Sequence, residues 1–113
     1  MSCLFCKIVR REISATLVYE DDRIVAFNDI NPQAPVHVLI IPKRHIDTLN
    51  ALEASDEELV GAMARVAASI AQDRGIAESG YRTVVNTNSD AGQTVFHLHL
   101  HLLGGRSMTW PPG

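Results

Sequence analysis

The stretch Phe96-His97-Leu98-His99-Leu100-His101-Leu102-Leu103-Gly104-Gly105, FHLHLHLLGG, decides the reading of this chain. Alternation of polar and apolar residues is the period of a β-strand, whose successive side chains leave opposite faces. His97, His99 and His101 therefore share one face, while Leu98, Leu100 and Leu102 take the other and belong to the core. Along a strand the three imidazoles span two intervals of roughly 7 Å, too long for one metal ion to accept all three through bonds of about 2 Å. A solvated sheet face is the ordinary explanation of one such histidine. Three in a row, beside a DAGQT loop at 90–94 whose glycine lets a ligand approach the backbone, point instead to a site. Imidazole can serve there as nucleophile, acid or base near neutral pH.

Outward from this strand, the chain reads as an α+β domain. LVYEDDRIVAFNDI (17–30) is two β-rich segments joined at Asp21 and Asp22, a hairpin. NPQAP (31–35) cannot continue a strand because proline lacks a donor, so it forms a loop into the third strand, HVLIIP, which Pro42 ends. From Ser55 the period changes: Leu59, Met63, Val66, Ala67 and Ile70 fall on one face of a long helix. Ser55 and Glu58 offer a capping box and Gly75 a stop. YRTVVNTN (81–88) and FHLHLHLL (96–103) supply two more strands, and a short helix is expected near residues 4–10. The sum is a mainly antiparallel sheet with one long and one short helix, in a single domain over 1–113.

Composition excludes several classes. With 46% hydrophobic and 20% charged residues the chain is neither disordered nor fibrous. A net charge of -3 gives no basic field for nucleic-acid phosphates. No apolar run approaches the ~20 residues of a membrane span, so a soluble, cytoplasmic protein without nucleic-acid or membrane partners is expected. The only cysteines, Cys3 and Cys6, have the spacing of metal or redox sites rather than of a disulfide framework.

HLHLHLL fits the histidine-triad signature, His-φ-His-φ-His-φ-φ with φ apolar. Together with NDINPQAPVHVLIIPKRH, GQTVFHLHLHLLGG and the terminal WPPG, it resembles the HINT branch of the histidine-triad (HIT) superfamily over nearly the whole chain. The resemblance implies a homodimer in which two five-stranded sheets join into a ten-stranded one. It also implies a hydrolase acting on the P–N bond of adenosine or guanosine 5'-monophosphoramidates, through a covalent nucleotidyl-histidine, to give a nucleoside monophosphate such as AMP and an amine. By the same likeness His99 is the nucleophile, its tautomer fixed by a neighbouring backbone carbonyl, and His101 contacts the α-phosphate and leaving group. His37 supports the triad from the adjacent strand, and His97 completes the catalytic set. Leu4, Phe5, Ile8, Phe27 and Ile30 form an apolar slot for the base, and Asp29 meets the ribose hydroxyls. Asn86, Gly92, Thr94 and Val95 lie near ribose and phosphate, and Trp110 reaches toward the partner's site.

Catalysis of this kind requires no cofactor. In several bacterial triad proteins and in the related galactose-phosphate uridylyltransferases, a cysteine pair like Cys3 and Cys6 is completed by a histidine like His45 of PKRH and by the first triad histidine, here His97. Other HINT proteins lack the cysteines and bind no metal, so a structural zinc ion stays an open alternative. Two further readings stand beside the phosphoramidase. A dinucleoside polyphosphate hydrolase of the fragile-histidine-triad branch is disfavoured by Asn86, where that branch carries glutamine, and by the WPPG tail. A nucleotide-responsive module that regulates a partner protein would carry the same binding residues.

Overall fold

The computed structural model describes residues 3–113. Its five strands are β1 (Leu17–Glu20), β2 (Ile24–Asn28), β3 (Val36–Pro42), β4 (Tyr81–Val84) and β5 (Leu100–Gly104). They form one sheet in the order β1-β2-β3-β5-β4, every pair antiparallel. The hairpin turns at Asp21, whose carboxylate accepts the amides of Arg23 and Ile24, both at 2.8 Å. This is the side-chain-closed turn that aspartate favours.

Pleat alternation divides the sheet's side chains between two clusters. Ile24, Ala26, Val38, Ile40 and Leu102, joined by Leu98 from just before β5, pack with Met63, Val66, Ala67 and Ile70 of α2 (Glu57–Asp73). Val25, Phe27, Leu39 and Ile41 pack on the other face with Phe5 and Ile8 of α1 (Leu4–Val9). The five α2 positions picked out by periodicity are all buried. Helix α2 closes with Gly75 at φ 73°, its amide on the Gln72 carbonyl and the Ile76 amide on that of Ala71. These are the paired bonds of a Schellman end, where glycine meets the left-handed conformation without steric cost.

The structure departs from the sequence reading at three boundaries. The capping box ahead of α2 is made by Glu53 and Asp56 across a 3₁₀ turn at Ala54–Asp56, not by Ser55 and Glu58. Asp56 accepts the Glu53 amide and pairs with Arg44, so the box closes the 3₁₀ turn ahead of α2, and the Asp56 side chain caps no amide of α2 itself. β4 stops at Val84 rather than Asn88. β5 begins only at Leu100, whose β3 partner is Ile40, so the ladder stops two positions short of the end of β3 at Pro42. Residues 96–99 instead leave the ladder: the Leu98 amide donates to the Ile46 carbonyl and the His97 ring to that of Pro42.

Candidate functional site

The site lies on the α1 face of the sheet. Phe27, Leu39 and His101 are register partners in a row across β2, β3 and β5, so their side chains stand on one face. His37 sits two residues from Leu39 on the same face, diagonal to His101. Over them α1 lays Phe5 and Ile8, while the 94–99 segment closes the side. A cavity of about 300 Å³ remains, lined by Leu4, Phe5, Ile8, Phe27, Asp29, Ile30, Thr94, Val95, His99 and His101, and also by Ile13, Ser14, Ala15, Asn28 and Leu39. Phe5 meets Phe27 edge-on at 5.4 Å between ring centroids and His99 at 5.1 Å. Two apolar residues stay uncovered at its rim, Ile30 at 99% and Leu4 at 50% exposure.

The three histidines of the row end in different surroundings. His97 is fully buried, with Nε2 2.7 Å from the Pro42 carbonyl, so that nitrogen carries the proton and Nδ1 is left as the bare one. His99 Nδ1 lies 2.8 Å from the His97 carbonyl and donates to it, which leaves the lone pair of a neutral ring on Nε2. The third tautomer follows from a backbone donor two bonds away. The Gln33 amide donates to His37 Nδ1 at 3.0 Å, so the His37 proton sits on Nε2. That Nε2–H donates to His101 Nδ1 at 2.9 Å, with Asp29 Oδ2 3.4 Å away as a second acceptor. His101 therefore keeps its proton on Nε2.

Burial, with smaller contributions from His99 and His37, pushes His101 down to about 4. Burial also lowers His37, against the opposing pull of Asp29. At neutral pH both rings are uncharged hydrogen-bond relays.

Cys3, Cys6, His45 and His97 form a second cluster beside the first, with ligand atoms all within 4.8 Å of one another. Cys3 Sγ lies 3.4 Å from His97 Nδ1, and Cys6 Sγ lies 3.5 Å from the same nitrogen and 3.2 Å from His45 Nδ1. Zn–S bonds of about 2.3 Å and Zn–N bonds of about 2.0 Å at tetrahedral angles put sulfur and nitrogen about 3.5 Å apart, so the four residues fit zinc. Their outer partners fit as well. The spare nitrogen of His97 is held by the Pro42 carbonyl and that of His45 by Asp47 Oδ1 at 2.5 Å, the supports usual for metal-bound imidazoles. Burial and the neighbouring Cys3 raise the Cys6 thiol, a tendency a bound dication would reverse by taking the thiolate. Among the described residues no such cluster joins all three histidines of the row.

Asn86, Gly92 and Trp110 do not line the cavity. Asn86 is half-buried beyond β4, and Gly92 takes φ 79° at the end of the 3₁₀ turn Ser89–Ala91. Trp110 is 81% exposed, with the Arg82 guanidinium 5.9 Å from its ring. Gln93 carries a part the sequence reading gave it no share in. Buried, it accepts the Asn88 amide and donates to the carbonyls of Asp47 and Val95, so it shapes the loop that presents Thr94 and Val95. Asp47, two residues after His45, was equally unmarked, since a carboxylate in a loop carries no periodic signal.

Fold and site together describe a small sheet protein that presents a relay of imidazoles to an apolar slot. The family model described as "HIT domain" matches residues 10–108, and the chain belongs to that family. It is 54% identical over 105 residues to the purine nucleoside phosphoramidase of Escherichia coli K12, covering 93% of this chain and 88% of that protein. It is also 54% identical over 110 residues to an uncharacterised HIT-like protein of Synechocystis, covering 97% and 96%. Among solved structures, a HIT family hydrolase from Legionella pneumophila superposes with a TM-score of 0.98 at 58% identity, covering 99% of this chain and all of that one. A histidine triad protein from Clostridium difficile gives 0.93 at 45% identity, covering 96% and 95%. No helix among the described residues is long and apolar enough to cross a membrane.

Proposed function

We propose that the protein is a hydrolase of purine nucleoside phosphoramidates, with His99 as nucleophile. The observation that carries this reading is the bond from His99 Nδ1–H to the His97 carbonyl, which leaves an unprotonated Nε2 on a residue lining the slot. The base enters between Phe5, Ile8 and Phe27, under Leu4 and Ile30, and the ribose hydroxyls meet Asp29. The phosphate lies against Thr94 and the amide of Val95. His99 Nε2 attacks the α-phosphorus, the P–N bond breaks, and the amine leaves from a covalent nucleotidyl-His99. His101 Nε2–H donates to a phosphoryl oxygen and steadies the developing charge. That phosphate's negative charge raises the proton affinity of His101, which then serves to protonate the departing amine. Water attacks the same phosphorus in the second step and gives a proton to His101, replacing the one spent on the amine, while the nucleoside monophosphate is released and the lone pair returns to His99.

The 54% identity to a purine nucleoside phosphoramidase supports the substrate class. The same reading makes the protein a homodimer joined beyond the β4 edge, which exposes Tyr81, with Trp110 presented to the partner's slot. Cys3, Cys6, His45 and His97 would hold a structural zinc ion. With all four positions filled by protein, that ion would cross-link the chain and leave no open place for substrate.

His99→Ala tests the core of the reading. The variant is expected to bind AMP with little change while phosphoramidate turnover falls at least roughly 10³-fold and the nucleotidyl adduct disappears from intact-mass spectra. Turnover persisting near the parent rate would take the nucleophile's role from His99.

A further inference from the structure

The cysteine–histidine cluster and the nucleotide slot share two pieces of chain. The first is α1. Cys3 is its N-cap and Cys6 lies one turn on, while Leu4, Phe5 and Ile8 of the same six-residue helix line the slot. A helix this short falls below the ~12–15 residues that hold together unaided in water, so its place depends on what grips it. Phe5 and Ile8 grip from the slot side, and the two sulfurs are the grip on the other. The second shared piece is His97. Its ring belongs to the cluster, its carbonyl receives the His99 proton, and Phe5 lies against both rings, 6.0 Å from His97 and 5.1 Å from His99.

We propose that zinc held by Cys3, Cys6, His45 and His97 fastens α1 to the 96–99 segment and thereby assembles the base side of the nucleotide slot, with Asp47 as the positioning carboxylate that orients His45. The inference rests on the nucleotide-binding reading given above. Three features support it. The sulfur–nitrogen separations are those of a tetrahedral site. The rings of His45 and His97 stand at 88° with centroids 4.9 Å apart, as two imidazoles converging on one point do. And Asp47 Oδ1 holds the one His45 nitrogen that does not face sulfur. Without the ion, α1 keeps the apolar contacts of Phe5, Ile8 and Val9, and the wall that meets the purine loosens.

The test compares protein as isolated, protein stripped by a chelator under reductant, and stripped protein reloaded with an equimolar amount of Zn²⁺. AMP affinity is measured by calorimetry, and amide exchange is followed at residues 3–9 and at 36–42. Stripping is expected to weaken AMP binding about tenfold or more and to speed exchange at 3–9 while 36–42 stays protected, and reloading reverses both. Asp47→Asn is expected to need roughly 10- to 100-fold more free zinc to restore the same AMP affinity. AMP binding and α1 exchange that do not change on stripping would overturn the proposal, as would a protein that takes up no zinc. Opening of 36–42 together with 3–9 would also overturn it, because the ion would then hold the whole fold rather than the slot. If the loaded protein binds no AMP, the nucleotide reading fails, and exchange at 3–9 still decides whether the ion fastens α1.

Discussion

The two faces of the sheet are built from the same strands and do opposite work. On one, α2 lays 17 residues of amphipathic helix over Ile24, Ala26, Val38, Ile40 and Leu102 and buries them in one apolar cluster. On the other, α1 covers the sheet with six residues, and the uncovered remainder is a slot floored by Phe27, Leu39 and His101. The long helix makes the fold stable, whereas the short one leaves room for a ligand. On the slot face backbone atoms fix three of the ring protons, the Gln33 amide for His37 and the carbonyls of His97 and Pro42 for His99 and His97, and the His37 ring fixes the fourth, on His101.

One substitution on each face should break the symmetry between them. Met63→Ala removes a side chain 2% exposed under α2 and is expected to cost about 3 kcal/mol of unfolding free energy, while folded protein keeps the parent AMP affinity. Phe5→Ala, from a ring 5% exposed against Phe27 and His99, is expected to cost about as much stability and to weaken AMP binding about tenfold as well. Urea unfolding and calorimetry on both variants check the pair. Equal loss of AMP affinity in the two would mean that the faces are not functionally separate.

Acid should sharpen the contrast, because the titrating rings lie on one face only. An unfolded imidazole titrates near 6.5, and burial holds His101 down at about 4, with His37 lowered by the same cause. A lowered histidine is stabilised neutral, so its contribution is complete above pH ~6.5 and is lost as pH falls toward 4, where the folded ring takes its proton. The His101 share of that loss is roughly 2–3 kcal/mol. Unfolding free energy measured from pH 8 to 4 should therefore decline chiefly below 6.5, and His101→Asn should flatten the decline. A flat parent profile over that interval would show that the ring is not held neutral by burial.

The sequence carried the periodic half of this arrangement. The leucines between the histidines and the five α2 positions repeat at strand and helix spacing, and periodicity assigns faces. What it missed depends on single non-repeating contacts. β5 begins at Leu100 because Leu98 and His97 bond outside the ladder, to the carbonyls of Ile46 and Pro42 fifty-odd positions away. Asp47 and Gln93 act through one carboxylate and one amide in loops. The unequal fates of His97, His99 and His101 were legible only through family likeness, because the groups that set their tautomers are backbone atoms, which every residue has.

The smallest expected effect tests the helix start on the stable face. Sequence spacing offers Ser55 and Glu58 as the capping pair, while the structure has its capping box at Glu53 and Asp56, around the 3₁₀ turn that leads into α2, and leaves Ser55 exposed. Loss of an N-cap serine costs about 1 kcal/mol, but a surface serine with no such bond should cost under about 0.5. Ser55→Ala should therefore leave the urea midpoint almost where it was, and Asp56→Ala should lower it clearly, since Asp56 holds both the Glu53 amide and Arg44. The reverse order would return the cap to Ser55. It would also move the first turn of α2 and with it the apolar register that Leu59 and Met63 start, which is why so small a measurement bears on the larger face.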